Sequence, residues 1–198
     1  IEKYPNSIGT QKCTNLLRSI EEESFNLDLE YVQMTNENWN LSLSYKNIDK
    51  MYFRIVDNSE NILVTKASEK RNEDIQFFLD KKPIREWSIS LPDSGDYQFH
   101  RIDLNHKAIE LGHYSLIAST NPDFTTSKGF ISHTVFYSSD LAYFFNQQEK
   151  IGSKIVVMNR KNGHPLRGVK AFLYREEYNY QKRGNDLILE SELVSDYV

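Results

Sequence analysis

The chain has 198 residues, of which 39% are hydrophobic and 26% charged, with a formal net charge of −4. This is the make-up of a globular chain long enough for one domain of common size and part of a second, and it excludes a disordered tract. The acidic balance argues against nucleic acid as a partner, because binding a phosphate backbone needs a dense Lys/Arg surface.

No apolar run reaches the ~18 residues of a membrane span, and no basic-then-apolar signal peptide is present. The chain opens on Ile1 rather than Met and stops at Val198 within an apparent strand, so it reads as a piece of a longer protein. Its single cysteine, Cys13, excludes an internal disulfide framework but fits either a cytoplasmic protein or an envelope protein with large cores.

The first segment predicts a helix. Cys13, Leu16, Leu17 and Ile20 fall at i, i+3, i+4 and i+7, one apolar stripe at helical period. Pro5, Asn6, Ser7 and Gly9 precede it as breakers. Glu21, Glu22 and Glu23 oppose the helix dipole at its far end, so the helix should stop there. Cys13 lies on the stripe expected to be buried and reads as a small core residue.

From Phe25 the period changes to two, and the aromatic content suits a pleated surface. Phe25, Leu27, Leu29 and Tyr31 alternate with polar residues, as do Trp39, Leu41, Leu43 and Tyr45. Met51, Phe53 and Ile55 follow, and then Ile62 and Val64. Turn-forming stretches separate them at 35–38, 46–49 and 57–60. Residues 68–83 are open between a helical turn carrying Ile75, Phe78 and Leu79 and a long inter-sheet connection. Strands resume with Trp87, Ile89 and Leu91, then Tyr97 and Phe99, then Tyr114, Leu116 and Ala118, and lastly 130–137. About eight strands without intervening helices predict a two-sheet antiparallel sandwich over 25–138, with a closed barrel as the alternative. Trp39, Leu41, Leu43, Trp87, Ile89, Tyr114 and Leu116 are its expected core.

A second unit opens near Ser139. Leu141, Tyr143 and Phe144 begin it, Ile155 to Met158 follow, Val169, Ala171 and Leu173 alternate, and Leu187 to Val194 close the chain. Four strands are too few for a full sandwich. The link at 137–141 is too short and too apolar at its flanks for a free linker, so the strand ending near Tyr137 should run almost directly into the one starting near Leu141. Some of Tyr143, Phe144 and Phe145 should then be buried.

No catalytic, cofactor-binding or metal site is assigned. His100, Asp103, His106 and His113 lack the short fixed spacing of a zinc site. His133 lies on an alternating strand and reads as surface or satisfied core. The 125–129 segment, Thr-Thr-Ser-Lys-Gly, lacks the frame of a phosphate loop, and no nucleophile elbow occurs. Asn40-Leu41-Ser42 forms a glycosylation sequon inside a strand. Arg160, Lys161, Arg167 and Lys170 read as a solvated basic turn.

Two stretches carry a family resemblance. Leu111-Gly112-His113-Tyr114-Ser115-Leu116-Ile117-Ala118-Ser119 resembles the "G-x-Y-x-L-x-A" strand of macroglobulin domains in the alpha-2-macroglobulin family. The segments 135–142 (V-F-Y-S-S-D-L-A) and 157–169 (V-M-N-R-K-N-G-H-P-L-R-G-V) resemble the junction between consecutive domains of bacterial members, with Asn159 where the family usually has Asp and Asn162 where it often has Thr. Tyr45-Lys46-Asn47 and Tyr52-Phe53-Arg54-Ile55 resemble opening strands of large Bacteroidetes-type members, whose macroglobulin domains follow a mostly helical region. The family's Cys-Gly-Glu-Gln-like thioester motif is absent, since Cys13 is followed by Thr14, Asn15 and Leu16.

The resemblance implies an all-β chain of tandem immunoglobulin-like, macroglobulin-type sandwiches with a short N-terminal helix. Residues 1–24 would be a helical lead-in, 25–138 a macroglobulin-like sandwich and 139–198 an incomplete second one. It implies a non-enzymatic, cofactor-free role in an extracytoplasmic, periplasmic or outer-membrane-associated protein that traps or inhibits proteases. The partners would be neighbouring domains of the parent chain and proteases. A generic sandwich module of an adhesin, a carbohydrate-related protein or an outer-membrane transporter is the second reading, since the turn at 163–169 also resembles carboxypeptidase-regulatory-like domains. An enzyme with a site in the sandwich loops is the third.

Overall fold

A computed structural model describes residues 5–59, 71–92, 95–125, 129–148, 152–179, 181 and 184–194. The run at Ile62 and Val64 and the centre of the 125–129 segment lie outside them.

Helix α1 spans Ile8–Glu21. Ser7 starts it with an extended backbone and a hydroxyl that accepts the Thr10 N–H at 3.1 Å, satisfying one of the free donors of the first turn. The helix stops at the acidic run as expected, because Glu22 already has extended backbone. The expected burial is not found. Leu16, Leu17 and Ile20 are 62%, 47% and 38% exposed, and Cys13 is exposed too. Apolar periodicity makes a helix amphipathic without supplying a surface to cover the stripe. Polar contacts hold its C-terminal end instead. Lys46 Nζ donates to the Ser19 oxygen at 2.6 Å, and Asn47 Nδ2 to the Ile20 oxygen at 2.7 Å.

Among the described residues eight strands follow: β1 (Ser24–Leu29), β2 (Val32–Gln33), β3 (Trp39–Lys46), β4 (Lys50–Asp57), β5 (Arg85–Ser90), β6 (His100–His106), β7 (Gly112–Ser119) and β8 (Ile131–Ser138). They form a three-stranded sheet, β1-β3-β6, and a five-stranded sheet, β2-β8-β7-β4-β5. Every pairing is antiparallel except the short parallel contact of β2 with β8. The expected core lies between the sheets. Trp39, Leu41, Leu43, Met51, Phe53, Ile55, Tyr114, Leu116 and Phe136 are buried there, and Trp87 and Ile89 pack against them partly buried. Each fully buried large apolar side chain contributes about 1.5–3 kcal/mol.

Strand β7 is buried on both faces, with His113, Ser115 and Ser119 buried alongside its apolar residues. Tyr114, Leu116 and Ala118 face the main core. Ile117 faces a second cluster with Val56, Phe78 and Phe124. Helix α2 (Arg71–Leu79) brings Ile75 and Phe78 into burial, so this ambiguous segment is a helix rather than an extended connection.

The strand expected around Tyr97 and Phe99 starts later, at His100. Tyr97 has φ 57°, a left-handed conformation that cannot continue a strand, and both aromatics are exposed. The apolar set facing inward is Ile102 and Leu104, in register with Leu43 and Leu41.

Beyond Ser138 the strands are β9 (Leu141–Gln148), β10 (Gly152–Asn159), β11 (Lys170–Asn179) and β12 (Gly184–Val194). They pair as two separate antiparallel two-stranded sheets, β9 with β10 and β11 with β12. Two residues separate β8 from β9, as the short link predicted. Burial of the aromatic cluster on β9 is not observed: Tyr143 is 76% exposed, and Phe144 and Phe145 are exposed as well. A two-stranded sheet has two faces to cover, and no described strand other than β10 pairs with β9.

Candidate functional site: the junction after β8

Several long-range polar contacts converge on Ser139 and Asp140, between β8 and β9. Asp140 accepts two hydrogen bonds from Thr35 in the turn before β3, from the hydroxyl at 2.7 Å and from the backbone N–H at 3.1 Å. The main-chain oxygen of Asp140 accepts the Arg160 N–H at 2.7 Å, and the Ser139 N–H donates to the Gln33 oxygen at 2.8 Å. From the turn after β10, the Arg160 guanidinium reaches the Val32 oxygen at 3.5 Å and Lys161 pairs with Glu37 at 3.1 Å. One carboxylate thus ties the sandwich rim to the link, while the β10 turn grips both.

The Thr35 hydroxyl lowers the Asp140 carboxyl below its ordinary value, helped by the Thr35 N–H and the Lys161 ammonium. The β10 turn is shaped by its own asparagines. Asn159 Oδ1 accepts the N–H groups of Lys161 at 3.0 Å and Asn162 at 3.2 Å, and Asn162 Oδ1 accepts that of His164 at 2.9 Å. Gly163 follows with φ 70°, which suits glycine. Asn159 and Asn162 therefore keep the turn chemistry of the residues they replace in the family pattern. An open cleft of about 430 Å³ lies alongside, lined by Asp28, Glu30, Gln33, Glu37, Trp39 and Arg160 among others.

The four residues with a metal-like look are not brought together. His100 pairs with Asp96 at 3.0 Å, and Asp103 bonds Ser42 on the outer face of the three-stranded sheet. His106 lies between Trp39 and Trp87, and His113 is bonded to Asn58. His133 packs against the Phe78 ring at 5.1 Å. Among the described residues no group of three or more His, Cys, Asp or Glu is placed to hold a metal. The basic turn is exposed, but three of its members have partners, Arg160 with the Val32 oxygen, Lys161 with Glu37 and Lys170 with Glu192. No helix of the described residues is long and apolar enough to cross a membrane.

Thr35 and Glu37 were legible only as members of a polar turn, and Asp140 only as part of a motif. Nothing in one sequence signals a contact across 105 residues.

No protein-family model and no curated protein matches the sequence. Among solved structures, native alpha-2-macroglobulin from Escherichia coli spanning domains MG0-NIE-MG1 superposes over 88% of this chain and 58% of its own, with a TM-score of 0.57 and 12% identity. The chain has the fold of that macroglobulin region. It spans little more than half the length of that structure. Escherichia coli alpha-2-macroglobulin activated by porcine elastase matches over 89% of this chain and 18% of its own, at a TM-score of 0.37 and 11% identity. The CARDB domain of a Pyrococcus furiosus protein, in complex with di-metal ions, matches over 59% and 92% at a TM-score of 0.32 and 11% identity.

Proposed function

We propose that the chain is a non-catalytic frame segment of a larger alpha-2-macroglobulin-like envelope protein that contributes to protease trapping or inhibition. In this reading residues 1–24 lead in from a preceding region, 25–138 form one macroglobulin-type sandwich, and 139–198 open a second. The observation that carries it is the clamp of Asp140 on Thr35 with the Arg160 and Lys161 contacts, because a frame transmits movement only if its units hold a defined angle. The fold likeness and the junction motifs support the same assignment, while the protease role comes from the sequence resemblance.

Spin labels at introduced cysteines on Asn26 and Tyr143, in a Cys13→Ser background, test the clamp. A single narrow distance distribution is expected, broadened by a Gly-Ser stretch inserted after Ser138 with the melting of the sandwich unchanged. A broad distribution without the insertion would sink the frame reading. The protease role needs the parent protein. A trapped protease should lose large substrates while still cleaving small ones, and equal loss of both would speak against trapping. The chain itself should show no hydrolytic, transferase or metal-dependent activity. Stoichiometric zinc surviving purification, and lost on replacing His100 or His106, would contradict that.

A further inference from the structure

A column of aromatic rings crosses the sandwich from sheet to sheet. Phe136 on β8 lies 5.5 Å from Trp39 on β3, Trp39 lies 4.5 Å from His106 on β6, His106 lies 4.6 Å from Trp87 on β5, and Trp87 stacks at 5.1 Å and 9° on Phe53 of β4. His106 is the one ring of the five that can take up a proton in the acidic range. It also occupies the critical place, since β6 is an edge of the three-stranded sheet and β5 an edge of the five-stranded sheet. Its imidazole bridges the two edges through its contact with the Trp87 ring. Next to it Arg85 of β5 donates to the oxygens of Lys107 at 2.9 Å and Ala108 at 3.0 Å, tying β5 to the segment that leaves His106.

The polar atoms here are short of partners. Among the described residues only four buried side-chain polar atoms lack a hydrogen bond, and three of them are His106 Nε2, Trp39 Nε1 and Trp87 Nε1. A proton on Nε2 would add a second N–H with no acceptor and a charge with no counter-ion. The charged group that acts on His106 from β5 is Arg85, of like sign. β3 presents Trp39, and the flanking Asn105 and Lys107 are exposed.

We infer that His106 is a proton-operated latch: neutral, it closes the β5–β6 edge of the sandwich, and protonated, it releases that edge. Two effects compete. An imidazolium between two indoles gains cation–π attraction worth up to about 2 kcal/mol. Burial between the rings and the Arg85 charge act against it and lower the ring's pKa to about 4. The latch therefore stays shut at neutral pH and opens in acid, and the loosened edge exposes the backbone of β5 and the strand-end segment that Arg85 anchors.

The molecule contains its own reporter, because Trp39 and Trp87 are the only two tryptophans. Wild-type emission should show a reversible transition with a midpoint near pH 4 that is absent from His106→Gln. Arg85→Met should move the midpoint upward by removing the repelling cation. Hydrogen exchange should rise below the midpoint in β5 and β6 before it does in β4 and β7. The His106 ring proton of the wild-type chain, followed by NMR, gives the titration without any variant. A midpoint at 6.5 or above would mean that cation–π attraction has won, and the latch falls. Titration near 4 with no selective rise in exchange at β5 and β6 would show protonation without opening, and equally overturns it.

Discussion

Asp140 and Thr35 stand 105 residues apart in the chain and share two hydrogen bonds, the shorter of them 2.7 Å. Asp140→Ala removes both, along with a negative charge that attracts Lys161. The angle between the sandwich and the β9–β10 sheet should then spread, while the melting temperature of the sandwich stays put, because the pair sits on its rim. Spin-label distances report the first and calorimetry the second. The pH sign follows from the lowered carboxyl. A depressed folded value gives a contribution present above the ordinary value of about 3.9 and lost as pH falls through the folded one. The junction should hold at pH 5 and loosen only in stronger acid.

Two apolar residues that look alike in the sequence should behave oppositely. Phe53 is fully buried and stacked on Trp87, so Phe53→Ala should cost about 3–5 kcal/mol. Leu17 lies on an equally regular apolar stripe but is half exposed, so Leu17→Ala should change stability by no more than about 0.5 kcal/mol. Urea denaturation distinguishes them. A loss of several kcal/mol at Leu17 would show that α1 is covered in solution.

This contrast marks how far the sequence could be read. Period-two alternation placed Leu41, Leu43, Tyr114 and Leu116 in the core, because a one-residue slip would turn each whole set outward. It also misplaced one strand, since Tyr97 and Phe99 alternate like strand residues while a left-handed φ at Tyr97 keeps them out of the sheet. Periodicity does not say whether a face finds a partner, which is why α1 and β9 were expected to be buried and are not. The clamp was less legible still. The turn at Thr35 and the Asp140 motif were both visible, but pairing them requires the parallel contact of β2 with β8, and a two-residue strand leaves no periodic trace.

Gly112 opens β7 where a side chain has no room. A Cβ there would lie 2.7 Å from the Tyr114 hydroxyl oxygen and 2.8 Å from Cζ of the ring. Tyr114 cannot swing away freely, because it is buried and its hydroxyl donates to the Glu110 oxygen at 3.0 Å. Gly112→Ala should therefore cost about 1–3 kcal/mol, as overpacking does. Tyr114→Phe should recover part of that loss by removing the nearer atom. Thermal unfolding of the two single variants and the double tests this, and strict additivity would show that the two residues do not meet.

His113 makes stability depend on pH in a window that carboxylates do not reach. The Asn58 main-chain oxygen can only accept, so the imidazole Nδ1–H donates to it at 3.1 Å, leaving Nε2 to accept from Asn58 Nδ2 at 3.4 Å. The ring also stacks on Tyr137 at 4.2 Å and 7°. Burial lowers its pKa, against smaller opposing effects from the Asn58 backbone and Asp57. Between that lowered value and about 6.5 the unfolded chain takes up a proton that the folded chain refuses. The neutral ring's contribution is thus complete above pH 6.5 and declines on acidification, by at most about 1.4 kcal/mol per pH unit for each such histidine. His106, lowered in the same direction, should add its own slope. Denaturant midpoints at intervals from pH 7.5 to 5 should fall for the wild type, less steeply for His113→Gln, and least for His113→Gln with His106→Gln. A wild-type stability that stays flat across that range would mean that His113 carries its proton in the fold and that Asn58 does not fix the neutral tautomer.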